Sequence, residues 1–249
     1  MSLITLGIQV VGVQNPCQSS LLISSVWMSA IAKPHCENTM HSSPFSVERT
    51  QSEDVDVYFS ADVETDGPIP GQFSMLSFGL VYSGCFDGKL FSKPTQFNQN
   101  FYRELRPISD EFQLDALRVN GLDRAQLLHD GTPPDKAMTE AAQWVRSVAG
   151  QGRPILVAYP LSFDWSFLYW YFVRFSLNGS PFNHSQCFDI KTAFAVKARI
   201  PIASAGRSKL MPGLRPNGIH THNALEDAIE QAEVFANLFE WGGTNGEHA

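Results

Sequence analysis

Asp62 and Glu64 stand two residues apart at the end of a run in which Val55, Val57, Phe59 and Ala61 alternate with other residues. A period of two marks a β-strand, and strand side chains two apart share a face. Two bare carboxylates side by side repel, and each resists ionisation. A hard divalent cation such as Mg²⁺ or Mn²⁺ removes that repulsion by taking carboxylate oxygens, so Asp-x-Glu is a ready half-site for a metal. Taken alone, the pair reads more simply as a polar strand end, because Asp66-Gly67-Pro68 behind it is turn chemistry.

Three more residues could join that chemistry. Asp164 follows Phe163 after the continuous apolar run Ile155-Leu156-Val157-Ala158, which reads as a buried central strand. Ser162 as an N-cap would place Asp164 in the first turn of a helix, where the helix dipole already favours a carboxylate. His222 precedes a final helix, and Asp227 falls in that helix's second turn. Asn223 with Glu226 makes an N-cap and capping box. Leu225, Ala228, Ile229, Ala232, Phe235 and Phe239 form the inward face, ending near Trp241. An imidazole with a pKa of about 6.5 suits a general base near neutrality. Taken singly, His222 reads as a surface residue and Asp227 as a solvated one.

The elements that must position these groups follow in order. Phe73 to Tyr82 reads as a second strand, Asp87-Gly88 as a tight turn and Lys89 to Leu105 as further strand, which predicts three antiparallel strands. Ser109 to Phe112 should open a helix with Phe112, Leu114, Leu117 and Val119 as its apolar positions, ended by Asn120-Gly121. Thr132-Pro133-Pro134-Asp135 should open another, running to about Ala149 with Ala137, Ala141, Trp144 and Val148 on one face. From Lys191 to Leu225 there is no acidic residue, whereas Lys191, Lys197, Arg199, Arg207, Lys209 and Arg215 fall there. The segment is loop-like between Pro201 and Pro216 and reads either as a phosphate-contacting arm or as a solvated basic loop.

A chain of 249 residues, 43% apolar and 12% aromatic, has ample material for one packed domain with an appendage. Residues 1–53 read as a poorly ordered extension, 54–241 as the domain and 242–249 as a tail. Leu21 to Ala32 is too short to span a bilayer, and no Lys or Arg precedes Lys33 to form the positive region of a signal peptide. Met28 and Met40 are alternative starts. A net charge of −7 argues against a protein that coats polyanions generally, while leaving room for clustered acids that hold metal. Cys17, Cys36, Cys85 and Cys187 are scattered and form no Cys-x-x-Cys, so the compartment is read as reducing and cytoplasmic.

Asp62-Val63-Glu64-Thr65-x-Gly67, then Phe163-Asp164 after an apolar strand, then His222-x₄-Asp227 at a final helix: in order and spacing this resembles the DEDDh 3′-5′ exonucleases. The likeness runs from about Asp54 to Trp241, and the Ala-Leu-Glu-Asp-Ala run around Asp227 is similar to the family's third motif. It implies an α/β ribonuclease H-like fold, a mixed central sheet flanked by helices. It also implies that Asp62, Glu64, Asp164 and Asp227 bind two divalent cations, Mg²⁺ or Mn²⁺, with Asp62 bridging them and His222 as the base. Ions about 4 Å apart can clamp the attacking and leaving oxygens of an in-line displacement. The implied activity is removal of nucleoside 5′-monophosphates from single-stranded RNA or DNA 3′ ends. The extended turn from Asp66 to Gly71 leans toward RNA. No membrane is implied, and many relatives are homodimers. Thr65 and Gly67 would hold the terminal nucleotide, Phe163 or Tyr159 would stack on bases, and Arg207, Lys209 and Arg215 would contact phosphates. The family's His-Asn ahead of Phe-Asp reads Tyr159-Pro160 here, which changes the surroundings of the terminal nucleotide and removes no metal ligand. Two other readings stay open: a non-catalytic binding module on the same fold, and a phosphodiesterase acting on dinucleotides.

Overall fold

The computed structural model describes residues 55–218 and 220–244; the expectation for residues 1–53 lies outside them. The strands are β1 (Asp56–Thr65), β2 (Met75–Phe86), β3 (Phe91–Ser92), β4 (Asn100–Glu104), β5 (Arg153–Ala158) and β6 (Cys187–Asp189). The helices are α1 (Leu114–Asn120), α2 (Arg124–Asp130), α3 (Pro134–Ala149), α4 (Leu161–Phe175), α5 (Ile190–Ala198) and α6 (Ala224–Glu240). The sheet order is β3-β2-β1-β5-β6, with β4 also on β2. β1 pairs antiparallel with β2 and parallel with β5, and β5 pairs parallel with β6. The expected antiparallel strands followed by parallel ones are all present, except that β3 and β4 are two short pieces that both pair with β2.

β1 is buried along Val57–Thr65, where alternation alone would predict one covered face. Both faces are covered. On one side Tyr58 packs against Phe235 and Phe239 of α6. On the other Phe59 packs against Trp144 of α3 and against Phe182. Asp62 and Glu64 share the parity of Tyr58, so they face α6.

α6 lies so close to the sheet that one position must lack a side chain. Gly79 on β2 is the register partner of Asp62. A Cβ there would sit 2.4 Å from the Ala224 carbonyl oxygen and 2.7 Å from Leu225 Cα. Glycine at this contact lets the first turn of α6 rest on β2 beside the acidic pair.

Several local expectations change. α1 starts at Leu114 and none of its residues is fully buried; Phe112, Leu114 and Val119 are exposed, while Asn120 at its end donates to the Thr65 carbonyl of β1. Its end is as expected, with Gly121 at φ 68°. α2 was not expected; Asp123 caps it by accepting from the Ala125 and Gln126 N–H groups. Pro160, not Ser162, precedes the first turn of α4, and the Leu161 N–H donates instead to Asp189 Oδ2 at 2.7 Å. Asn223 caps α6 as expected, but Glu226 does not reach back to close a capping box: its carboxylate takes the Thr221 hydroxyl instead. Lys191 and Lys197 of the basic arm lie in α5, and its loop-like part is three successive 3₁₀ turns, at 202–204, 207–209 and 212–214. It is anchored, since Ala205, Leu210 and Leu214 are buried in a cluster with Tyr159, Phe194 and Phe235. Past α6, the Thr244 N–H donates to the Lys197 carbonyl. Among the described residues no helix is long and apolar enough to cross a membrane.

Gly79→Ala should force α6 off the sheet and cost about 1–3 kcal/mol in urea unfolding. A loss under about 0.5 kcal/mol would show that the helix shifts without penalty.

Candidate active site

β5 pairs with only the first half of β1, from Asp56 to Ser60. Beyond Ser60 that edge is open, and α4, which follows β5, delivers Asp164 to it. Asp164 Oδ1 accepts from the Val63 N–H at 3.1 Å. α6 delivers Asp227 from the facing layer. One carboxylate oxygen each of Asp62, Glu64 and Asp227 lie within 4.8 Å of one another. Thus residues 62, 64, 164 and 227, separated by up to 165 positions, converge at the C-terminal end of β1. All four are buried, Asp227 completely.

The electrostatics follow from that crowding. Burial, then the charges of Asp164, Glu64 and Asp227, lift Asp62 well above the usual carboxylate range, against a smaller opposing pull from Arg207. Burial, then Asp227 and Asp164, push Glu64 from 4.5 up to about 8. Asp164 rises from 3.8 to about 7 through burial, moderated by its backbone hydrogen bonds and by Arg207. Asp62, Glu64 and Asp164, which resist ionisation beside Asp227, form a sink for positive charge, and hard carboxylate oxygens are the donors that divalent cations prefer.

The loop before α6 wraps Asp227. Its Oδ1 accepts from the Thr221 N–H at 2.8 Å and its Oδ2 from the His222 N–H at 2.9 Å. His222 has φ 59°, a left-handed conformation uncommon outside glycine. His220 Nδ1 lies 2.9 Å from Asp227 Oδ2, and the His220 and His222 rings meet edge to face at 4.4 Å. Arg207 reaches into this cluster from the basic arm. It pairs with Glu230 at 2.7 Å, contacts His220 Nδ1 at 2.6 Å and donates to the Tyr159 carbonyl at 3.2 Å.

The other expected contacts divide. Phe163 is 40% exposed beside Asp164 and offers a ring surface. Tyr159 does not: it is buried, and its hydroxyl donates to the Ala205 carbonyl. Thr65 and Gly67 are buried and paired, the Thr65 hydroxyl donating to the Gly67 carbonyl. Gly67 is a packing requirement, since a Cβ would fall 2.2 Å from the Phe73 ring. Arg207, Lys209 and Arg215 do not act as one arm. Arg207 is turned inward, while Lys209 and Arg215 are exposed, Arg215 donating to the Leu210 carbonyl.

Four participants were not singled out. Gln231 donates to Asp62 Oδ1 at 2.7 Å. It stands four residues after Asp227, a spacing that puts both on one helix face. Glu230 and His220 had no motif to mark them. Asp66, read as turn chemistry, is fully buried; it accepts from the Ser74 N–H and pairs with Arg124 at 2.9 Å, tying the exit of β1 to α2.

No family model matches the chain. It is 34% identical over 183 residues to the 3′-5′ DNA exonuclease Cap18 of Escherichia coli, covering 73% of this chain and 91% of that protein. It is 29% identical over 183 residues to ribonuclease T of Hahella chejuensis (strain KCTC 2396), covering 71% and 80%. Its fold is similar to the crystal structure of cell-death related nuclease 4, with a TM-score of 0.53 at 11% identity over 77% of this chain and 66% of that one. The α/β architecture is ribonuclease H-like. The chain belongs to the DEDDh family of 3′-5′ exonucleases, and its activity is that of a 3′-5′ exonuclease.

An acid whose pKa rises on folding stabilises the fold fully below its unfolded value, and that contribution is lost as pH climbs through the folded value. For Glu64 and Asp164 the window runs from 4.5 and 3.8 up to about 8 and about 7. In the presence of a chelator, the melting temperature should therefore fall as pH rises across it. A flat profile would show that the acids ionise without penalty.

Proposed function

We propose that this exonuclease removes nucleoside 5′-monophosphates stepwise from the 3′ ends of single strands, using two divalent cations, Mg²⁺ or Mn²⁺. The observation that carries the reading is the meeting of Asp62, Glu64 and Asp227 oxygens within 4.8 Å, with Asp164 held on the Val63 N–H between Asp62 and Glu64 in the chain. The donor set fits: all oxygen, buried, and short of positive charge. Asp62, Glu64, Asp164 and Asp227 would hold the ions. Bound there, the cations supply the charge that lets these acids ionise together and that offsets negative charge building on the scissile phosphate.

The chain's own groups do the rest. His222 accepts the proton of the attacking water. Its backbone N–H is bonded to Asp227, so the base hangs from a ligand and keeps its distance from the cluster. Val63 and α4 hold Asp164 in place. The exposed Phe163 ring stacks on a terminal base, a contact open to any sequence. Lys209 and Arg215 meet the phosphate backbone further along the strand.

Single-stranded DNA is the preferred substrate on this reading, because the more similar of the two relatives is named for DNA. The Asp66–Gly71 turn, which leaned toward RNA, begins at the buried Asp66–Arg124 pair. RNA is the second reading, favoured by the likeness to ribonuclease T. The cytoplasm is the compartment proposed for such a substrate.

Matched 5′-labelled DNA and RNA oligonucleotides, incubated with Mn²⁺, test the proposal. A ladder shortening from the 3′ end, faster on DNA and absent with chelator or with Asp62→Asn, is expected. Metal-independent shortening would overturn it, and a faster RNA ladder would reverse the preference. His222→Ala should lower turnover by about 100- to 10,000-fold while leaving Mn²⁺ binding intact; near-normal turnover would remove His222 from the role. Neutralising Lys209 and Arg215 together should flatten the salt dependence of oligonucleotide binding by roughly 0.7 logarithmic units per residue. An unchanged slope would take them out of the binding path.

A further inference from the structure

Asp62 has a single side-chain donor among its described neighbours. Glu64, Asp164 and Asp227 around it are all acids, and each raises its pKa. The donor is Gln231 Nε2, at 2.7 Å from Oδ1. The amide is as hidden as the acid it serves, with Gln231 1% exposed. Its other end, Oε1, is buried with no hydrogen-bond partner. A buried acceptor left unpaired costs free energy that a core position would avoid by using a hydrocarbon. An amide kept here at that cost points to the donor end as the reason.

The chemistry of the alternatives narrows the role. An ionised carboxylate only accepts, so it needs an N–H or O–H facing it. A lysine or arginine would supply one, yet would also bring a full positive charge into a site that must admit cations. A neutral amide holds the oxygen without competing for the space or the field. The backbone makes this reachable: Gly79 lets α6 lie on β2, and the four-residue step from Asp227 to Gln231 puts ligand and amide on one face.

We infer that Gln231 is a positioning residue for metal binding: it fixes the rotation of the Asp62 carboxylate so that the acid is pre-set for a cation. This rests on the metal-site reading above. Outer groups of this kind typically change metal affinity by about 10- to 100-fold when removed.

The test is Mn²⁺ titration by calorimetry on the full chain without substrate. It compares wild type, Gln231→Met, which removes the amide at similar volume, and Gln231→Asn, which keeps it one methylene short. Circular dichroism follows the fold of each. Wild-type binding with both folded variants weakened by about tenfold or more supports the assignment. Gln231→Met binding within about twofold of wild type overturns it while leaving the metal site standing; if only Gln231→Asn folds, its affinity decides in the same way. Collapse of both variants would make Gln231 a packing residue and would equally overturn it. Absence of Mn²⁺ binding by wild type would instead overturn the metal-site reading and this inference with it.

Discussion

Four carboxylates do not share a buried space by choice. Asp62, Glu64, Asp164 and Asp227 meet at the end of one strand; burial holds Asp62, Glu64 and Asp164 above their ordinary ionisation range, and repulsion from neighbouring acids adds to it for Asp62 and Glu64. Every other feature near the site either brings these acids together against that repulsion or limits how freely each can turn. The free energy that their crowding costs is available again to any cation that relieves it, which is how an unfavourable arrangement becomes a binding site.

The fold supplies the restraint from three directions. β1 carries Asp62 and Glu64 on a strand buried on both faces, where neither can withdraw. α4 brings Asp164 to the edge that β5 leaves open, and the Val63 N–H holds it there. α6 rests on Gly79 and presents Asp227 and Gln231 to the same point. The loop before α6 then closes on Asp227 through two backbone N–H groups, so the position of His222 is slaved to that acid. Arg207 is the counterweight: it belongs to a basic segment but turns inward, linking the end of β5, the His220 loop and Glu230.

That division of the basic segment has a simple cause. Its apolar residues, Ala205, Leu210 and Leu214, are spaced to anchor three short turns into the core. Once the turns are pinned, neighbouring charges face different ways. Arg207 falls over the acids, while Lys209 and Arg215 are left facing solvent. A stretch that is uniformly basic in sequence therefore becomes one internal pairing and a modest external surface.

The sequence by itself determined the order of strands, the long helices α3 and α6, and which acids stand at the ends of these elements. Strand alternation, proline and glycine at helix ends, and the Asn223 cap are local, and each was legible because local backbone preferences act over a few residues. The resemblance to DEDDh exonucleases was legible for a related reason: its three motifs each sit at the end of one such element. What only the tertiary structure decided is which groups touch across elements. Gln231 to Asp62, Arg207 to Glu230 and Asp66 to Arg124 span 169, 23 and 58 positions. None repeats or shows periodicity, so no short-range pattern marks it. The exposure of α1 and the burial of Tyr159 belong with them, because both depend on whether another element happens to cover that surface. Local chemistry writes the elements, but packing chooses the partners.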